Sequence, residues 1–120
     1  ADIHLSRPLN INSTTCTIVL AGMTGSEILS SSSGNSRLLS VTDVALVLSG
    51  LVLENGTDDY GGCLAAENSL IVIFSSAFHN CKTSSDSTHG GGGAIFLINS
   101  NATINNTAFK SCSGVDGGGV

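Results

Sequence analysis

The sequence predicts an all-β fold, a right-handed parallel β-helix of about four coils, in a single domain over residues 1–120. Three observations predict it: a motif that recurs without gaps, apolar segments too short for helices, and a composition low in charge and rich in Gly, Ser and Asn. A length of 120 residues suits one small domain. The coils are expected at roughly 1–35, 36–61, 62–92 and 93–120.

The recurring motif is clearest in Gly61–Cys81 and Gly92–Cys112, which align at an offset of 31 residues. A Gly pair opens each segment, and Ala-Phe followed by two residues and a Cys closes it. An earlier copy aligns at an offset of 26, where Val44–Val52 falls on Leu70–Phe78. A constant block with a variable insertion between copies is typical of a solenoid, in which each repeat forms one coil.

The apolar segments of the repeat are typical of strands. Thr17–Leu20, Ala45–Leu48 and Leu70–Phe74 are short, and Gly, Ser and Asn separate such segments along the chain. Helical repeats require apolar residues three and four apart over ten or more residues. Leucine-rich repeats require a Leu and Asn signature that this chain lacks. About three short strands per coil therefore predict a parallel β-helix.

The alternation of side chains along each strand predicts which residues lie inside the coil. At offsets of 26 and 31, three columns are apolar in every copy, and Phe78 is expected to stack on Phe109 inside the coil. The expected inside columns are Ala45/Ile71/Ala102, Val47/Ile73/Ile104 and Val52/Phe78/Phe109.

The columns between them are expected to face outward. In the last coil these positions are polar, and in the earlier coils they are apolar. An exposed apolar strip of this kind marks an interface, although another segment of the chain could cover it. The predicted interface residues are Leu46, Leu48, Val72 and Phe74.

Composition argues against several functions. The net charge is −5 with four basic residues, which argues against a nucleic-acid partner. No apolar run approaches the roughly 18 residues of a membrane span. Four sequons and four Cys residues favour an extracellular location, where N-glycans and disulfides occur. The predicted glycosylation sites are Asn12, Asn55, Asn101 and Asn105, and no metal or other cofactor is expected.

The Cys and Gly residues have structural interpretations. Cys81 and Cys112 share a column, and adjacent coils bring such residues within disulfide distance, so a bridge between coils is expected. Two stacked free thiols are the alternative, and no pairing is predicted for Cys16 and Cys63. The Gly pairs are expected at sharp turns or close backbone approaches. Without a following Lys-Ser/Thr, a phosphate-binding loop is the weaker interpretation.

The repeat also carries a family resemblance. The run Gly92-Gly93-Ala94-Ile95, with Phe-x-x-Cys at Phe78–Cys81 and Phe109–Cys112, resembles the Gly-Gly-Ala-Ile and Phe-x-x-Asn repeats of the chlamydial polymorphic outer membrane protein family. Similar repeats occur in large secreted proteins of algae and other protists. The resemblance covers roughly residues 36–120 and implies a β-helical passenger. The chain departs from the family pattern where Cys replaces Asn in both Phe-x-x-Cys motifs, and where Cys63 replaces Ala.

Catalysis is not expected. Many parallel β-helices cleave polysaccharides and need clustered carboxylates for it. Here only Asp58 and Asp59 are adjacent, in a turn where solvated acids are the ordinary interpretation and a weak Ca²⁺ site is the alternative. His4, His79 and His89 fall at unrelated positions of the repeat.

The sequence therefore predicts a structural glycoprotein that forms the repeating body of an extracellular filament, or of a cell-surface or wall fibre, by coil stacking. The expected partners are further copies in a head-to-tail homopolymer or flanking solenoid coils, and covalent glycans. Natural solenoids cap their ends, and no capping helix is evident here, so open strand edges are expected. A cell-surface adhesin is the alternative, which an exposed aromatic or Asp-rich groove would favour.

Overall fold

A computed structural model describes residues 3–5, 9–12, 17–22, 27–31, 36–59, 61–83 and 91–114. These residues form fifteen β-strands and no helix, so nothing in them has the helical length and apolarity of a bilayer span. The strands are β1 (Ile3–Leu5), β2 (Leu9–Asn12), β3 (Thr17–Ala21), β4 (Glu27–Ser31), β5 (Leu39–Thr42), β6 (Ala45–Ser49), β7 (Leu51–Glu54), β8 (Thr57–Asp58), β9 (Leu64–Glu67), β10 (Leu70–Phe74), β11 (Ala77–His79), β12 (Lys82–Thr83), β13 (Ile95–Ile98), β14 (Asn101–Asn105) and β15 (Ala108–Lys110).

The described strands form four sheets in which every strand pair is parallel. Sheet I contains β2, β5, β9 and β13; sheet II contains β3, β6, β10 and β14; sheet III contains β1, β4, β7, β11 and β15; sheet IV contains β8 and β12. The predicted all-β, parallel architecture is confirmed.

Four times along the chain, consecutive strands belong to sheets I, II and III in that order, and we call each such group of strands a unit. Unit 1 comprises β2–β4, unit 2 β5–β8, unit 3 β9–β12 and unit 4 β13–β15. Each strand pairs with the equivalent strand of the neighbouring unit, so equivalent residues form columns that cross the sheets.

The register between units 3 and 4 is the one the sequence predicts, with Leu70 opposite Asn101 at an offset of 31. Between units 2 and 3 the predicted offset of 26 is wrong. Ala45 lies opposite Leu70, which is an offset of 25. A slip of one residue moves every side chain of a strand to the opposite face. The inside positions predicted at Ala45, Val47 and Val52 are therefore wrong as well.

The buried side chains of the sheets form one apolar cluster, and unit 2 contributes Leu46, Leu48 and Leu53 to it. All three are fully buried, whereas Ala45 and Val47 are only half-buried. The offset of 25 thus places the larger side chains of β6 inside and the smaller ones outside. The inside columns of sheets II and III are Ile18/Leu46/Ile71/Ala102, Leu20/Leu48/Ile73/Ile104 and Leu29/Leu53/Phe78/Phe109.

A residue in the left-handed conformation ends the strands of units 2 to 4. Asn, Asp and Gly tolerate a positive φ better than other residues and are common at such turns. In these three units one such residue follows each strand of sheets I, II and III, so it defines where the strand ends and how the units align. The corner positions are Asp43/Asn68/Asn99 (φ 56°, 51° and 47°), Gly50/Ser75/Asn106 (66°, 51° and 48°) and Asn55/Asn80/Ser111 (63°, 52° and 54°).

A buried serine in unit 3 completes each of the first two corners. The Ser69 hydroxyl donates to the Glu67 carbonyl at 2.8 Å and accepts the backbone N–H of Val44 in unit 2 at 3.2 Å. Ser76 makes the same pair of bonds at the next corner. Because each hydroxyl satisfies backbone groups of two units, it links those units at the corner, beside the backbone hydrogen bonds that join them there.

The Gly pair before β9 has both roles expected of it. Gly61 has a φ of 56°, in the left-handed region. A Cβ on Gly62 would collide with the backbone of Lys82 and would lie 2.7 Å from the carbonyl oxygen of Gly93. Glycine therefore allows three backbone segments to meet where the chain returns to sheet I.

Candidate interaction face

The disulfide pairing expected between Cys81 and Cys112 is wrong. Cys81 bonds Cys63, with 5.5 Å between their Cα atoms, and Cys112 is a free, half-buried thiol. Cys63 precedes β9, and Cys81 lies between β11 and β12, so the bond joins the start of unit 3 to the turn before its last strand. In unit 4 the position of Cys63 is held by Ala94, so Cys112 has no Cys opposite it in its own unit. Cys16 lies outside the described residues.

The predicted glycosylation sites have different surroundings. Asn101 and Asn105 are exposed on the outer face of β14, and Asn12 is exposed at the end of β2. Asn55 is half-buried at a corner, and its Oδ1 accepts a hydrogen bond from Asn80 Nδ2 at 2.8 Å. The side chain of Asn55 is thus engaged by its neighbour in unit 3.

The predicted interface strip is half wrong. Leu46 and Leu48 are fully buried and cannot contact a partner. Val72 and Phe74 do lie on the outer face of sheet II, where Val72 is half-buried and Phe74 is 41% exposed. Val47, which the sequence pattern predicted to lie inside, takes the outward position next to Val72. The recurrence of Asn, Asp, Gly and Ser at the corners was the signal for the correct offset of 25.

The outer face of sheet II changes character between units 3 and 4. In unit 3 its outward residues are apolar, with Leu70 50% and Phe74 41% exposed. In unit 4 the same columns are polar and carry two sequons. We call Leu70, Val72 and Phe74 the apolar patch, and its partners across the β10–β14 pair are Asn101, Thr103 and Asn105.

A shallow groove of about 170 Å³ lies on the outer face of sheet I, with Arg37 on one side. Arg37 Nε donates to the Gly61 carbonyl at 3.0 Å, and Nη1 donates to Ser40 Oγ at 3.0 Å. Nη2 lies 3.5 Å from Asp58 Oδ1. Other residues that line the groove are Thr42, Ala65, Glu67, Phe96 and Ile98.

The turn acids proposed as an alternative Ca²⁺ site are used within the fold. Asp58 pairs with Arg37, and its Oδ1 also accepts the backbone N–H of Asp59 at 2.7 Å. Within the described ranges, no group of three or more His, Cys, Asp and Glu side chains is placed to hold a metal ion.

The apolar interior is incompletely covered beside the outermost strands. Leu39 is fully buried, but Leu9, next in the same column at the edge of sheet I, is 40% exposed. A cavity of about 340 Å³ opens here between residues of β2, β3 and β4, with Leu51 on its far wall. In unit 4, at the opposite edge, Leu97, Ile104 and Phe109 are half-buried although they occupy inside columns.

On the side of β14 away from β10, no strand of the described residues pairs with its backbone. The N–H of Asn101 donates to the Ser69 carbonyl at 3.1 Å, and the carbonyl of Asn105 accepts the N–H of Ser75 at 3.2 Å. Because backbone groups alternate along a parallel strand, those of Ala102 and Ile104 face away from β10. Among the described strands, β13, β14 and β15 are the outermost strands of sheets I, II and III at this edge, and β2, β3 and β1 are the outermost at the other.

Comparison of the chain with family models, curated proteins and solved structures finds no match. The resemblance to the polymorphic outer membrane protein repeats therefore stays a prediction.

Proposed function

We propose that this chain is a structural glycoprotein outside the cell, in which parallel coils stack edge to edge into the repeating body of a filament or of a surface or wall fibre. One observation carries the proposal: the apolar columns run through all four units to both outer edges of the sheets. At those edges the side chains of the columns are partly exposed to solvent. A further coil, from a second copy or from a flanking part of a longer chain, would extend the same columns. The proposed role of the chain is structural rather than catalytic.

The strand order supports a single right-handed parallel β-helix with sheets I, II and III as its faces. Consecutive strands lie in different sheets, and each return to sheet I adds a parallel strand beside the previous one. Crossovers between parallel strands are right-handed in about 98% of cases. Units 2, 3 and 4 repeat after 25 and 31 residues, lengths suited to three short strands with their corners.

Stacking would stabilise groups that the isolated chain leaves exposed. Burying a side chain such as Leu9 contributes about 1.5–3 kcal/mol when its whole surface is covered, and Leu9 is now 40% exposed. The backbone N–H and C=O groups of Ala102 and Ile104 that face away from β10 would gain hydrogen-bond partners, as edge strands do in strand addition. The burial of apolar side chains and the new backbone hydrogen bonds both favour assembly.

A location outside the cell is supported by the disulfide and the sequons. Disulfides persist in oxidising compartments, and the Cys63–Cys81 bond is part of the core. N-glycans require exposed asparagines, as Asn12, Asn101 and Asn105 are. We propose no cofactor, and the partners are further coils and covalent glycans.

The substitution Ala102→Pro tests the stacking. Proline has no N–H, and the N–H of residue 102 faces the open edge, so the change blocks strand addition there without removing a bond to β10. It also destroys the sequon at Asn101, because proline cannot occupy its middle position. Asn101→Gln is the matched control, since it removes the same sequon and leaves the edge N–H in place.

The measurement is sedimentation velocity over a concentration series, with electron microscopy of the same samples. We expect the unmodified chain and Asn101→Gln to assemble, and Ala102→Pro to remain mainly monomeric with an unchanged circular dichroism spectrum. An unmodified chain that stays monomeric at high concentration would contradict the proposal.

An adhesin is the second candidate, and the groove on sheet I supports it. Phe96 and Ile98 supply apolar surface beside the polar side chains of Thr42 and Glu67, a combination found in ligand sites. Binding of the monomer to cell-surface glycans or proteins, reduced by Phe96→Ala and Glu67→Gln, would favour this candidate over the filament.

A further inference from the structure

We propose that an N-linked glycan on Asn105 covers the apolar patch, with its first sugar packed on the ring of Phe74. The inference rests on the proposed location outside the cell, since N-glycans are added during secretion. It assigns Asn105 as a modification site and Phe74 as the surface that holds the glycan.

The strand register brings the two residues together. Phe74 and Asn105 are direct partners in the parallel pair β10–β14. Both side chains point outward, and Phe74 is 41% exposed. Neighbouring strands lie about 4.8 Å apart. A sugar attached to Asn105 Nδ2 therefore begins within about one strand spacing of the phenyl ring.

The two surfaces are chemically complementary. One face of a pyranose ring presents C–H groups, whose hydrogens carry partial positive charge, and the face of a phenyl ring is negative. The contact would also remove apolar surface of Phe74 from water. Val72, the next outward residue of β10, lies beside this contact, so a glycan that extends along β10 would cover both.

The sequon at Asn105 is held in a defined turn. Thr107 completes the sequon, and its Oγ1 donates to the Asn105 carbonyl at 2.9 Å. Asn106 between them has a φ of 48° and forms the corner. The Asn105 side chain is thus set on the outer face by local backbone geometry before any sugar is attached.

The other sequons lack this combination. The Asn55 side chain is engaged by Asn80, and the strand partner of Asn12 is Thr42. Asn101 lies beside Leu70, which offers an apolar surface without an aromatic face. Only the Asn105 glycan would meet an aromatic ring in the adjacent strand, among the sequons that the structure describes.

A double-mutant cycle in protein secreted from eukaryotic cells tests the inference. The four forms are the unmodified chain, Asn105→Gln, Phe74→Ser and the double variant, and Tm is read by circular dichroism. We expect Asn105→Gln to lower Tm by about 4 °C when Phe74 is present, and by much less in the Phe74→Ser background. The same cycle in bacterially produced protein, which carries no glycan, should show no coupling.

Enzymatic trimming separates the first sugar from the rest of the glycan. In a background with Asn12, Asn55 and Asn101 replaced by Gln, an endoglycosidase that leaves one sugar on Asn105 should preserve the Tm, and complete removal should lower it toward the Asn105→Gln value. Val19→Ser is the matched control for Phe74→Ser, because Val19 is 60% exposed on the same face but two units away. Its effect on Tm should add to that of Asn105→Gln.

Three results would overturn the inference. Mass spectrometry could show Asn105 unmodified while other sequons are occupied. The Tm loss from Asn105→Gln could be equal with and without Phe74. Phe74→Ser could abolish assembly without any coupling to Asn105, in which case a second copy occupies the patch. Because the coupling is read on monomers at low concentration, failure of filament assembly leaves this test intact.

Discussion

The ring of Phe78 in β11 lies flat against the ring of Phe109 in β15, with 5.1 Å between ring centroids and 7° between ring planes. The stack predicted from the sequence is confirmed. Phe78 is fully buried and Phe109, in the outermost strand of sheet III, is half-buried. The pair therefore connects the covered core of unit 3 to the less covered interior of unit 4.

Because Phe78 is fully buried and Phe109 is only half-buried, replacing each with Ala should lower the free energy of unfolding by different amounts. Phe78→Ala should lower the free energy of unfolding by about 3–5 kcal/mol, as for a buried aromatic residue. Phe109→Ala should cost less, because its side chain is already partly in water. Urea unfolding followed by circular dichroism measures both, and the double variant should reveal a coupling of about 0.5–1.5 kcal/mol. Equal costs would show that unit 4 is covered in solution.

The offset of 25 between units 2 and 3 predicts opposite sensitivities for neighbouring residues of β6. Leu48→Ala should cost about 2–5 kcal/mol, because Leu48 is fully buried. Val47→Ala should cost less than about 1 kcal/mol, because Val47 faces outward. Thermal and urea unfolding compare the two variants. The reverse order would indicate the offset of 26.

The Cys63–Cys81 bond predicts which two Cys-containing peptides are joined, and it predicts a loss of folding stability when the bond is removed. Digestion without reduction should recover the Cys63 and Cys81 peptides joined, and a joined Cys81–Cys112 peptide would contradict the structure. Replacing both bonded Cys residues with Ala should cost about 3 kcal/mol, the entropy estimate for a loop with a sequence separation of 18. Cys112→Ala is the control and should change stability far less.

At the corner position Ser75 we expect Gly to be more stabilising and Val less stabilising than Ser, which is the reverse of the order expected within a strand. Ser75 has a φ of 51°, where glycine is unstrained and a β-branched residue is not. Ser75→Gly should raise the free energy of unfolding by about 0.5–1 kcal/mol, and Ser75→Val should lower it by about 1–2 kcal/mol. Ser49, which lies within strand β6, is the matched control. There Val should be tolerated and Gly should destabilise.

Sequence periodicity predicted much of this architecture because the repeat is gapless over units 3 and 4. Short Val- and Ile-rich segments indicated strands, and recurrence at 31 residues indicated parallel pairing. Together they identified Phe78 over Phe109 and the outward Asn101 and Asn105, since equivalent positions in adjacent parallel strands share a face.

Tertiary structure decided what alternation alone left ambiguous. In β6 both faces are apolar, so Leu46 and Leu48 could be read as outside, and only the corners and the volume of the core place them inside. The partner of Cys81 depends on contacts within one unit. Cys63 and Cys81 are separated by 18 residues in sequence, and their Cα atoms lie 5.5 Å apart. A column of equivalent residues describes neighbours along the stack, and it carries no information on contacts across one unit.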